Sequence, residues 1–145
     1  MKDVIGLVQT VITAVGAFVG WFLGGMDGFL YALIVMITLD YISGVMLAVV
    51  QRKLSSDIGA RGIFKKVLIF SFVAMGHIID TRIFHSGSAI RTAVILYFIS
   101  NEGISVLENA TALGVKVPKK LRDVLAQLNT EKQSDENKNM KGKGQ

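Results

Sequence analysis

Four long apolar runs, separated by short polar or glycine-rich breaks, set the plan of this chain. The first, residues 4–23, closes on Gly24-Gly25-Met26-Asp27-Gly28 and not on a small-x-small cleavage site, so it predicts a retained membrane helix and not a signal peptide. The second, 29–50, is interrupted only by Thr38, Asp40, Ser43 and Gly44. At about 1.5 Å per residue it reaches roughly 33 Å, the thickness of a bilayer's hydrocarbon core. The third, 64–80, has an apolar stretch of only Val67 to Ile79, a length that also fits a short or re-entrant segment. The fourth, 89–113, is apolar through Ile99 and mixed beyond it.

Past Gly114 the pattern changes. Leu121, Val124, Leu125 and Leu128 recur at helical spacing opposite Lys119, Lys120, Arg122 and Asp123, so 114–128 predicts a short amphipathic helix on the membrane surface or against another copy. Residues 129–145 carry no apolar stripe and predict a disordered charged tail. The fold class expected is all-α: an integral membrane domain over 1–113 with four transmembrane helices, then the amphipathic helix and the tail.

Composition agrees with this plan. The 145 residues are 51% hydrophobic and 19% charged, with a mean hydropathy of +0.49, too apolar for an ordinary soluble domain. The net charge of +5 sits in loops and tail, which favours membrane orientation and argues against a nucleic-acid partner. There is no cysteine, so thiol and disulfide chemistry is excluded. Two histidines, His77 and His85, stand outside any ligand-spaced cluster, and no phosphate loop or nucleophile elbow is present. No enzyme activity, metal or cofactor is expected.

The charges also predict a topology. The connector 51–66 carries Arg52, Lys53, Arg61, Lys65 and Lys66 against Asp57 alone, and the chain from Gly114 onward has eight Lys or Arg against four acids. Four spans place both basic stretches on one side, which the positive-inside rule makes cytoplasmic, with both termini there as well. Three spans with the amino terminus outside would also keep both basic stretches inside if the third and fourth segments were a re-entrant pair counted differently.

Polar groups within the apolar runs are the candidate functional residues. Asp40 lies near the middle of the second run, where an intramembrane carboxyl needs a partner, a wet cavity or a proton. Counting from the connector's two ends puts His77 at a similar depth, so two arrangements stand open: a pair between Asp40 and His77, or a local bond from Asp40 to Ser43 or Tyr41. On the fourth run Asn101, Ser105, Glu108 and Asn109 form one polar stripe with Glu102 beside it. Glu102 is the deeper of the two acids and the stronger candidate for burial. Gly16, Gly20 and Gly24 recur every four residues in and after the first run, a face that suits close helix packing within one chain or between copies.

Three blocks of this sequence resemble a known family. They are Leu39-Asp40-Tyr41-Ile42-Ser43-Gly44, Lys53-Leu54-Ser55-Ser56-Asp57-Ile58-Gly59 and Asn101-Glu102-Gly103-Ile104-Ser105-Val106-Leu107-Glu108-Asn109-Ala110, followed by Leu113-Gly114-Val115 and Val117-Pro118. The wording is similar to the small phage holins and toxin-secretion holins of Gram-positive bacteria and their phages, over about Leu39 to Leu128. The resemblance implies a homo-oligomer in the bacterial cytoplasmic membrane that opens a timed lesion. Through that lesion an endolysin, or a large toxin, would pass without needing direct contact. A small oligomeric ion channel or transporter subunit, with Asp40, His77 and Glu102 as a cation path, is the alternative.

Overall fold

A computed structural model of the chain describes residues 1–85 and 87–128. It is all-α: no strand occurs among the described residues, and the helices are α1 (Lys2–Phe22), α2 (Gly28–Val50), α3 (Ser56–Ile79), α4 (Ala89–Ala112) and α5 (residues 119–128). One π-helical turn, Asp80–Phe84, extends α3. Four of these helical stretches, Lys2–Phe22, Gly28–Val50, Ser56–Phe84 and Ala89–Ala112, are long and apolar enough to cross a membrane.

The helix boundaries follow from capping. Asp27 accepts from the Leu30 N–H at 2.8 Å and starts α2. Ser55 accepts from the Ile58 N–H at 3.3 Å and starts α3, with Asp57 in the first turn. The expected connector 51–66 is therefore only 51–55, and Arg61, Lys65 and Lys66 lie on α3. Apolarity marked where this helix enters lipid, whereas Ser55 marks where its backbone bonds begin. The third span is accordingly long and not short.

The core follows one stripe on each of three helices. Leu30, Leu33 and Ile37 of α2 meet Ile69, Val73 and Ala74 of α3 and Ile95 and Ile99 of α4, with Leu23 closing one end. α4 packs broadly on α2 and also on α3, while α2 and α3 touch little. α1 buries no residue. Nothing lies within 4 Å of a Cβ placed on Gly16 or Gly20, so this face is open in the single chain. Gly24 is separated from them: it sits past the end of α1 with φ +87°, and a Cβ there would come within 2.6 Å of His77 Nδ1.

α5 departs from a purely surface placement. Leu125 is buried, its carbonyl oxygen accepts from Ser100 Oγ at 2.5 Å, and its side chain fills the space left by Gly103. The helix folds back on α4 because Ser100 needs an acceptor and Gly103 leaves a notch for a leucine. The tail expected over 129–145 lies outside the described residues.

Candidate functional site

The inner stripes do not end where the apolar residues do. On α2 the series Leu30, Leu33, Ile37 continues to Asp40; on α3 Lys66 precedes Ile69, Val73, Gly76 and Asp80; on α4 Arg91 precedes Ile95, Ile99 and Glu102. Steps of three and four keep these residues on one helix face, so each stripe is bounded by ionisable groups that must meet inside the bundle.

At one boundary Lys66 Nζ donates to both Asp40 Oδ2 and Glu102 Oε2, joining α3 to α2 and α4. Asp40 lies ten residues before Val50, Lys66 ten after Ser56 and Glu102 ten before Ala112, a common depth of about 15 Å at 1.5 Å per residue. The three charges therefore form one layer across the bundle, level with one another along the helix axes. Their side chains are only 15%, 14% and 11% exposed for Lys66, Asp40 and Glu102, and one cation faces two carboxylates. Such a group is tolerated in lipid because each charge has an opposite partner and is turned inward.

Of the two arrangements left open for Asp40, the pair with His77 does not form. Lys66 takes the carboxylate of Asp40, while Ser43 Oγ donates to the backbone oxygen of Asp40 at 3.1 Å and accepts from Asn109 Nδ2 at 3.0 Å. His77 is displaced toward the opposite end, next to Gly24. The depth count failed because it took Lys66 as level with Gln51, although α3 begins ten residues before Lys66, beside the end of α2. Ser105 and Asn109 line a groove between α2 and α3 together with Asp40 and Tyr41. Asn101 is half-buried and Glu108 is exposed. Arg52 and Lys53 occupy the exposed turn after α2, Arg52 with φ +54°.

The other boundary was not singled out from sequence. Arg91, 1% exposed, donates from Nε to Leu23 O at 2.6 Å, from Nη2 to Gly25 O at 2.7 Å and from Nη1 to Asp27 Oδ2 at 2.5 Å. It thereby fastens the α1–α2 turn to α4. Asp80, fully buried, accepts from the Ile90 N–H at 3.0 Å and the Arg91 N–H at 2.8 Å, so it caps α4 from the end of α3. Gly76 permits this approach, since a Cβ there would stand 3.1 Å from the Arg91 Cα. Burial pushes the Asp27 carboxyl up, but hydrogen bonds from Arg91 and the Leu30 N–H, with the charge of Arg91, hold it below the ordinary carboxylate range. Continuing each apolar stripe by one helical step would have found Arg91 and Asp80.

Among the described residues no group of three or more His, Cys, Asp or Glu is placed to hold a metal ion. The two clusters bind helices to one another and present no nucleophile held against a base. They can fix the relative depth and rotation of α2, α3 and α4.

Comparison with known proteins adds the following. The sequence profile of the Bacteriophage holin family matches residues 17–130. An uncharacterised 14.9 kDa protein of Clostridium perfringens is 39% identical over 91% of this chain and 100% of its own length. An uncharacterised protein of Listeria monocytogenes is 37% identical over 90% of this chain and 92% of its own length. A protein of Bacillus phage phi105 named as a probable holin is 34% identical over 72% of this chain and 76% of its own length. No solved structure matches.

Proposed function

The chain belongs to the bacteriophage holin family, and from that premise we propose that it accumulates in the bacterial cytoplasmic membrane and then self-associates into a timed lesion. The lesion lets an endolysin, or a large toxin, cross toward the cell wall. The observation that carries the reading is the likeness to the probable holin of Bacillus phage phi105, beside a family profile whose matched residues 17–130 take in both charge clusters. Both termini and the turn carrying Arg52 and Lys53 face the cytoplasm in this reading, in keeping with the positive-inside rule.

The architecture supports self-association in physical terms. α2, α3 and α4 form a unit whose buried charges meet opposite partners within one chain, whereas α1 is an apolar helix that buries no residue and whose Gly16 and Gly20 face open space. In lipid there is little hydrophobic drive between helices, so close packing of such faces supplies the attraction.

Inducible expression in bacteria, with and without a co-expressed cytoplasmic endolysin, tests the proposal when optical density and membrane potential are followed together. Abrupt lysis after a lag, requiring the endolysin, is the expected result. The buried layer of Asp40, Lys66 and Glu102 favours one other reading, a small ion channel. Loss of potential with no endolysin release would select that one.

A further inference from the structure

Most helical hydroxyls of this chain are satisfied in one way. Thr10, Thr13, Thr38, Ser71, Thr81 and Thr111 each donate to the carbonyl four residues back in their own helix. Ser100 does not. Fully buried on α4, it donates from Oγ to Leu125 O of α5 at 2.5 Å. Rotation of its side chain would return it to the Leu96 carbonyl, four residues back, the bond its counterparts make. Departure of α5 therefore leaves this hydroxyl with an acceptor.

α5 is lightly held. Residues 113–118 join it to α4 without helix, and Gly114, with φ +88°, begins the turn that lays it back along α4. Of residues 119–128 only Leu125 is buried, with Leu128 against the edge of the core, while Leu121 and Val124 of the same apolar stripe stay exposed. Beneath it α4 has a notch. Ser100, Gly103 and Leu107 share one face by steps of three and four, and all are buried. A Cβ on Gly103 would meet Leu125 Cδ1 at 2.9 Å and Cδ2 at 3.0 Å, so the missing side chain is what admits the leucine. The notch thus fits a helix that presents one bulky apolar side chain, as α5 does.

We propose that α5 is a releasable latch over this face of α4, and that a second copy of the chain competes with it for the notch. The inference rests on the self-association proposed above. Docked, Leu125 fills the notch and the chain stays single. Released, α5 bares Ser100 and Gly103, two small residues against which a helix of another copy packs closely. With Ser100 turned to its own helix, the exchange strands no hydroxyl on the uncovered face. The latch and the neighbouring copy are alternative occupants of one site, so whatever weakens the first favours the second.

The test uses the full chain in a neutral detergent, with copies per particle read by light scattering across a concentration series. Leu125 Cγ lies 3.5 Å from a Cβ built on Gly103, so Gly103→Cys with Leu125→Cys brings two thiols together in a chain that otherwise has no cysteine. Oxidised within one chain, this variant should remain single at concentrations where the parent associates, and reductant should restore association. Leu125→Ala should lower the concentration of half-association at least about tenfold, because it removes most of a buried leucine. Its bundle should still melt as one transition, which separates release of the latch from loss of the fold. Equal association of the oxidised and reduced pair, or unchanged or weaker association of Leu125→Ala, would overturn the latch and leave self-association standing. No association by the parent, the reduced pair or Leu125→Ala would overturn both.

Discussion

α1 and α4 are both apolar helices long enough to cross a bilayer, yet α1 buries none of its residues and α4 buries seven. Hydropathy does not separate them; the destination of their polar groups does. On α1 Thr10 donates to Gly6 O at 2.9 Å and Thr13 to Gln9 O at 2.8 Å, so these hydroxyls are satisfied within the helix itself. On α4 Arg91, Ser100, Glu102 and Asn109 all reach other segments. A membrane helix whose polar groups are closed on its own backbone is free to face lipid on any side. One whose polar groups are matched across the bundle is held there, since separation strands charges in hydrocarbon.

Breaking this contrast is easiest at Lys66. Lys66→Met leaves two largely buried carboxylates without their cation and is expected to cost about 3–5 kcal/mol of bundle stability, read as a lowered melting temperature of the helical signal in detergent. The triple change Asp40→Asn, Lys66→Gln, Glu102→Gln should recover most of the loss. A melt unchanged by Lys66→Met would show that the layer does not hold the bundle. In double-mutant cycles Asp40 should couple to Lys66, and Asp40 with His77 should be additive.

Arg91→Gln comes next. It removes the donors to Leu23 O, Gly25 O and Asp27 and is expected to cost about 2–4 kcal/mol, with faster proteolysis at the α1–α2 turn as a second readout. Proteolysis at that turn no faster than in the parent would contradict the clamp.

The smallest effect concerns Asp27. Its carboxyl is held below the ordinary value of about 3.9, so its stabilising contribution is complete above about pH 5. That contribution is lost as pH falls through the ordinary value and then the lower folded one. Its side chain is 43% exposed, so solvent screening keeps the effect small. Parent and Asp27→Asn melting curves should differ at pH 6 and converge as the solution is acidified. A constant difference across that range would remove the ionic contribution.

The four apolar helices and the second-half amphipathic stripe were legible because lipid exposure demands long apolar runs and helices impose their own period. Asp40 and Glu102 stood out as charges in apolar surroundings. What stayed hidden was their shared partner. Lys66 read as part of a basic connector, since Lys65-Lys66 sits at the edge of an apolar run, and only the cap at Ser55 shows that the helix begins well before it. Arg91 was missed for a similar reason: two residues into a helix it reads as an interfacial cation, although its guanidinium turns inward to carbonyls of a distant turn. Pairings of this kind depend on helix rotation, which hydropathy alone does not encode.

The claim that α1 is free of the bundle and available to another copy is tested most directly by cross-linking. Because the chain has no cysteine, single substitutions along α1 can each be oxidised in native membranes. The account predicts dimers between copies that recur at helical period and are strongest on the face of Gly16 and Gly20, with no change in the bundle's melting temperature. Absence of dimers, together with cross-links from α1 to second cysteines on α2 or α4 of the same chain, would contradict it.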